Sequence, residues 1–167
     1  MILMGIDPGY AITGYGVVDY NKGRFRIVDY GVISTRAGTP FEQRLLTIFD
    51  GLTRVIEQAA PVSVAVEELF FSRNTTTAIG TAQARGIAVL CGARAGIPIY
   101  EYTPRQIKLA VTGYGLADKQ QVQHMVRVIL GLKEIPKPDD AADALAVAIC
   151  LAHSGADPNA LVVGGYQ

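Results

Sequence analysis

The chain has 167 residues, half of them hydrophobic and 18% charged, with 15 basic and 15 acidic side chains. That suits one domain with a sizeable core and excludes a disordered chain. The apolar N-terminus has no basic residue before it, so it reads as a strand and not a signal peptide. No apolar stretch approaches the ~20 residues that span a bilayer.

The charge is unevenly spread. Residues 1–70 carry a net −2, residues 71–133 a net +6 and residues 134–167 a net −4. A basic middle between acidic ends suits a polyanion held over bound cations. Cys91 and Cys150 lie in unrelated apolar segments and read as buried free thiols in a reducing compartment.

Taken in chain order, Met1 to Asp7 is an apolar run closed by Asp-Pro-Gly, a strand before a turn. Gly14 to Tyr20 and Arg24 to Ser34 are two further strands, joined by a hairpin loop at Asn21-Lys22-Gly23. From Phe41 the period changes. Leu45, Ile48, Leu52, Val55 and Ile56 recur at helical spacing up to Ala60, and Pro61 ends the helix. Pro61 to Glu67 is a short strand, and the intervening helix makes it a parallel neighbour of the first.

Asn74 to Thr77 supplies capping chemistry for a helix reaching Ala95, with Gly96 as its stop. Ile97 to Tyr102 is a strand. Thr103-Pro104 opens a short helix that breaks at Gly113-Tyr114-Gly115. Lys119 to Leu130 and Asp139 to His153 are the last helices. This order gives an α/β fold, a ribonuclease-H-like mixed five-stranded sheet with helices on both faces. Residues 1–153 read as one domain, and 154–167 as a loose tail.

Carboxylates carry the chemistry. Asp7 ends a buried strand in phase with Leu3 and Gly5, a costly place for a charge unless it is solvated, hydrogen-bonded or metal-bound. Glu67 closes the next parallel strand, beside Asp7; Glu68 lies in the opposite phase, and a one-residue bend would exchange the two. Asp139, Asp140 and Asp143 share one third of the last helix. N-capping and the helix dipole explain one or two of them, most naturally Asp139. They do not explain Asp143, one turn inside on a buried face.

Clustered carboxylates suit Mg²⁺ or Mn²⁺, and two such ions can drive phosphodiester hydrolysis. With only two histidines, a zinc site finds no support. No Walker A loop, nucleophile elbow or dinucleotide fingerprint is present.

Five motifs then line up in order: GIDPG from Gly5, AVEELF at 65–70, QARG at 83–86, QVQHMVR at 121–127 and DAADALAVAI at 140–149. From Gly5 to His153 the chain resembles the RuvC-type Holliday junction resolvases. The resemblance implies a homodimeric endonuclease that cuts two strands of a four-way DNA junction symmetrically. It implies Mg²⁺ or Mn²⁺, two per active site, and products with 5′-phosphate and 3′-hydroxyl ends.

The family's metal ligands and catalytic acids fall on Asp7, Glu67, Asp140 and Asp143. Its two lysines fall on Lys108 and Lys119, and its junction-stacking aromatic on Phe70; with Arg73 on the same loop, these residues are expected to touch DNA. RuvA and RuvB are the implied partners, and the cytoplasm the implied compartment. The extra acids Asp139 and Glu68 leave two ligand positions open, Asp139 or Asp140 and Glu67 or Glu68. Three rivals remain: a binding module without cleavage, an actin-like phosphotransferase fragment suggested by GIDPG alone, and a nuclease acting on RNA or RNA–DNA hybrid.

Overall fold

The computed structural model describes residues 1–69 and 75–155. Its strands are β1 (Ile2–Asp7), β2 (Ile12–Asn21), β3 (Arg24–Ser34), β4 (Ser63–Glu67) and β5 (Ile99–Tyr102). Its helices are α1 (Phe41–Ala59), α2 (Thr75–Arg94), α3 (Pro104–Thr112), α4 (Lys119–Ile129) and α5 (Asp139–Ser154).

The strands form one mixed sheet in the order β3-β2-β1-β4-β5. The first three are antiparallel neighbours, and β4 and β5 add in parallel. Lys22 and Gly23 both adopt positive φ (48° and 82°), which makes a two-residue hairpin turn whose twist matches the strands it joins.

Alternation along β1 and β4 sends side chains to two cores. Met4, Ile6, Val64 and Val66 pack with Ile48, Leu52 and Ile56 of α1 and Ala84, Ala88 and Cys91 of α2. On the opposite face Leu3, Val18, Ala65 and Tyr102 pack with α3, α4 and α5. Helices therefore cover both faces. From Ala141 to Ala152 every residue except Asp143 is buried, so α5 is the central helix of its layer.

Local signals set most boundaries. Thr103 and Asp118 each form a reciprocal capping box, with Gln106 and Gln121 respectively. Gly113 closes α3 in the left-handed conformation. Several ends differ from the sequence expectation: β2 runs from Ile12 to Asn21 and not Gly14 to Tyr20, and β4 begins at Ser63 and not Pro61. α1 ends at Ala59, and Ala60, left-handed at φ 46°, caps it before the proline. β5 begins at Ile99 and not Ile97, because Gly96 turns at φ 69° and Pro98 has no N–H for the ladder. Both cysteines are buried and free, and none of the described helices is long and apolar enough to cross a membrane.

Candidate active site

The parallel register of β1 and β4 pairs Gly5 with Ala65 and Ile6 with Val66. One residue further, Asp7 and Glu67 end their strands side by side, on the face covered by α5. Each carboxyl acts on the other's protonation. Glu68 belongs to the other phase, and its amide donates to the Tyr102 carbonyl.

α5 brings the remaining acids close because glycines remove the barrier. A Cβ on Gly5 would collide with the backbone of Ala144 and Ala148, and one on Gly14 with the carbonyl of Asp140. On Gly16 it would stand 2.8 Å from the amide of Leu145. Glycine and alanine thus let the helix lie directly on the β1–β2 hairpin, so Asp140 and Asp143 reach the end of β1.

The loop after Asp7 is locked from beneath. The Thr13 hydroxyl donates to the Gly9 carbonyl at 2.7 Å, and the Thr35 hydroxyl to the Tyr10 carbonyl at 2.6 Å. Arg44 donates from Nε to Thr35 Oγ1 at 2.8 Å and lies 3.7 Å over the Tyr10 ring. These contacts fix the direction in which Asp7 leaves its strand.

The electrostatics identify these acids as one group. Burial, then the charges of Glu67, Asp143 and Asp140, push the Asp7 carboxyl up to about 8. Burial, then Asp143, raises Glu67 to about 7, against the pull of Lys108 and Lys119. Asp143 is raised as well, chiefly by burial. Partly buried carboxylates that repel one another hold protons unless positive charge is supplied.

Lys119 supplies part of that charge. Its Nζ lies 3.0 Å from Asp143 Oδ2 and 3.5 Å from Asp139 Oδ2. Burial acts to lower the Lys119 ammonium, but its hydrogen bond to Asp143 and the charges of Asp143 and Asp139 outweigh burial and hold it above its ordinary value. Lys108 and Lys119 line a cleft of about 190 Å³ with Glu67 and Asp143, and Ile107 and Val122 form its apolar wall.

Asp139 stands apart from this group. It accepts from Lys137 Nζ at 3.2 Å. That bond, then the charge of Lys119, lowers its carboxyl below the ordinary value. Nor does Asp139 cap α5: Pro138 is the N-cap residue, with no side-chain capping bond. Phe70 and Arg73 lie outside the described residues.

The donor set is all oxygen, which suits a hard divalent cation. Among the described residues, no three His, Cys, Asp or Glu side chains are yet gathered around one point. Lys119 occupies the Asp143 oxygen instead. The acids therefore fit such a cation by their chemistry.

Residues 3–151 match the family model for the crossover junction endodeoxyribonuclease RuvC. The chain belongs to the RuvC family. It is 58% identical to the crossover junction endodeoxyribonuclease RuvC of Desulfitobacterium hafniense, over 92% of this chain and 93% of that one. The structure of T. thermophilus RuvC in complex with a Holliday junction substrate superposes with a TM-score of 0.87 at 40% identity, covering 92% of this chain and 93% of that one. The yeast mitochondrial Holliday junction resolvase Ydc2, at 13% identity and a TM-score of 0.63 over 90% of this chain and 78% of that one, shares the fold. Family membership makes this chain a nuclease of ribonuclease-H-like fold, with dependence on divalent metal.

Three features of the site escaped the sequence reading. The Lys119–Asp143 pair and the Arg44 clamp carry no local signal. The close approach of α5 does leave one: glycine at Gly5, Gly14 and Gly16 opposite an alanine-rich helix.

Proposed function

We propose that this chain resolves four-way DNA junctions by symmetric, metal-dependent phosphodiester hydrolysis, in recombination and repair. The observation that carries the proposal is the convergence of Asp7, Glu67, Asp140 and Asp143 from β1, β4 and α5 beside a lysine-lined cleft. Kinship with nucleases named for crossover junctions supplies the substrate.

In this reading the four acids are the catalytic and metal-holding residues. Asp140 takes the ligand position and Asp139 does not, because Asp139 is turned to Lys137 and Lys119. Glu67 is preferred to Glu68, because it shares the Asp7 face. Mg²⁺ or Mn²⁺, two ions per site, supplies activation of the attacking water and stabilisation of the leaving 3′ oxygen.

The chain's own part is to hold and orient. Lys108 and Lys119 draw the phosphate into the cleft. The apolar wall of Ile107 and Val122 narrows its exposure to bulk water. Phe70 and Arg73, which follow Glu67 in the sequence, are proposed to touch DNA, with Phe70 stacking on junction bases.

The working unit is residues 1–153, with 154–167 as an appended tail. It is proposed to act as a homodimer through the outer face of α2, where Ile79 and Leu90 are 63% and 52% exposed. RuvA and RuvB as partners, and the cytoplasm as its place, rest on the family resemblance alone.

The test is strand cleavage of a synthetic four-way junction, beside linear duplex and RNA–DNA hybrid of the same sequence, with Mg²⁺ and with EDTA. Paired, metal-dependent cuts in the junction alone are expected. Cutting of the hybrid instead would keep the site and change the substrate. No cutting of any would leave a binding module.

A further inference from the structure

The turn that follows Asp7 is gripped by a single arginine from the first turn of α1. The Nε of Arg44 donates to Thr35 Oγ1 at 2.8 Å, and that hydroxyl donates onward to the Tyr10 carbonyl at 2.6 Å. A terminal guanidinium nitrogen donates to the same carbonyl at 3.3 Å. The guanidinium carbon also lies 3.7 Å from the centre of the Tyr10 ring. Both handles thus belong to one residue, three places after Asp7.

Tyr10 is confined on its other sides as well. The Phe41 ring lies 5.8 Å from its own, and a Cβ on Gly80 of α2 would stand 3.1 Å from the Tyr10 Cβ. The Thr35 amide donates to the Ala11 carbonyl at 2.9 Å, one residue further along the turn. Asp7 makes the last rung of β1 with β2, opposite Gly14, so the turn beyond it sets where the strand end points. Arg44 is partly buried, yet among the described residues no carboxylate pairs with it. A cation drawn partly out of water towards neutral acceptors is a poor source of stability. A methionine would cover the Tyr10 ring as well. What arginine adds is direction, from a planar fork of fixed geometry that lysine cannot copy.

We infer that Arg44 is a positioning residue for the reaction: through Thr35 and Tyr10 it holds the turn that aims the Asp7 carboxylate at a bound cation. The inference rests on the metal-holding role proposed for Asp7. Arg44 does not line the acidic cleft, so it acts through the backbone of Tyr10. An acid already held in its working direction loses less freedom when the cation arrives. The clamp therefore tightens cation binding and speeds the cutting step, and it leaves junction binding alone.

The test uses the full chain and three readouts: Mn²⁺ binding by electron paramagnetic resonance without DNA, single-turnover cleavage at saturating junction, and junction affinity in EDTA. The variants are Arg44→Met, Arg44→Lys, Thr35→Val and Thr35→Ser, beside Arg85→Met, which breaks the Arg85–Glu101 pair elsewhere in the fold. Arg44→Met and Thr35→Val should each weaken Mn²⁺ binding and slow cleavage by about tenfold, within what a slight misplacement costs. Junction affinity should not change. The double variant should be no worse than Arg44→Met alone, because the two side chains act as one unit. Thr35→Ser keeps the hydroxyl and should match wild type, whereas Arg44→Lys should not. Arg85→Met should lower the Tm and leave Mn²⁺ binding and cleavage as they are. If Arg44→Met does not fold, the contrast of Thr35→Val with Thr35→Ser decides. Wild-type Mn²⁺ affinity and cleavage in the folded clamp variants would overturn the inference, as would losses that merely follow the Tm through Arg85→Met as well. If wild type cuts no junction, the cleavage reading fails on its own, and the Mn²⁺ affinities still decide the clamp.

Discussion

Asp7 is held in a conflict that a cation relieves. Its carboxyl is half-buried among like charges, and among the described residues Lys119 opposes them. Asp7→Asn keeps the size of the side chain and removes the charge. Cleavage should fall by a factor on the order of 10³, comparable to deleting a major electrostatic stabiliser in other enzymes, while junction binding in a gel-shift assay persists. Cutting at the wild-type rate would remove Asp7 from the mechanism.

The same conflict sets a pH dependence of stability. Asp7 moves from 3.8 to about 8 on folding, and Glu67 from 4.5 to about 7. Between those limits the folded chain binds more protons than the unfolded one, so stability falls as pH rises through the window. Thermal melts in EDTA should therefore show a lower Tm at pH 8 than at pH 5. Mn²⁺ should restore much of the loss at pH 8, and Asp7→Asn should shrink the slope. A flat profile in EDTA would mean that the acids are more hydrated than their burial implies.

At the scale of elements, the contact of α5 with the β1–β2 hairpin decides where the acids stand. Gly14 has no room for a methyl group, and the atom in its way is the Asp140 carbonyl, a backbone atom that moves only with the helix. Gly14→Ala should displace the first turn of α5. It should cost a few kcal/mol of stability, as overpacking at a rigid contact does, and reduce cleavage more than Gly23→Ala in the β2–β3 turn. The Gly23 Cβ position is open, so that variant meets only the cost of its positive φ, 82°. Circular dichroism melts beside junction cleavage would check both halves.

What was legible in the sequence is also an element-scale matter. The strands and helices follow from signals within a few residues, and the structure places them close to the expected boundaries. Asp7 and Glu67 were readable as acids at parallel strand ends, and Asp143 as an acid on a buried helical face. Asp139 was not readable: its proximity to α5's start suggests a cap, yet its partners are Lys137 and Lys119, the latter 20 residues earlier. The Arg44 clamp spans 34 residues to reach the Tyr10 carbonyl at 3.3 Å. Such contacts depend on tertiary placement and carry no periodicity.

For the whole molecule, the surface distribution bears on assembly. Arg85 is held against Glu101 in a partly buried pair joining α2 to β5, with Nε donating to Oε1 at 2.6 Å. This cation of the basic middle segment thus braces the fold and is not free for DNA. On the outer side of α2, Ile79, Gln83, Gly86 and Leu90 recur at helical spacing and are all exposed. A charge placed there should oppose pairing of two copies. Leu90→Glu should sediment as a monomer where wild type sediments as a dimer, and should lose paired cutting of the two junction strands. Wild type sedimenting as a monomer with normal paired cuts would sink the dimer.

The acids also come from distant parts of the chain: Asp7 near the start, Glu67 in the first half, Asp140 and Asp143 near the end. The β1–β3 meander is local, but the last helix docks on the first hairpin only after nearly the whole chain exists. A chain still emerging from the ribosome carries half of the proposed centre and no means to complete it. Synthesis order thus acts as a safety catch, delaying the proposed acidic centre until α5 docks.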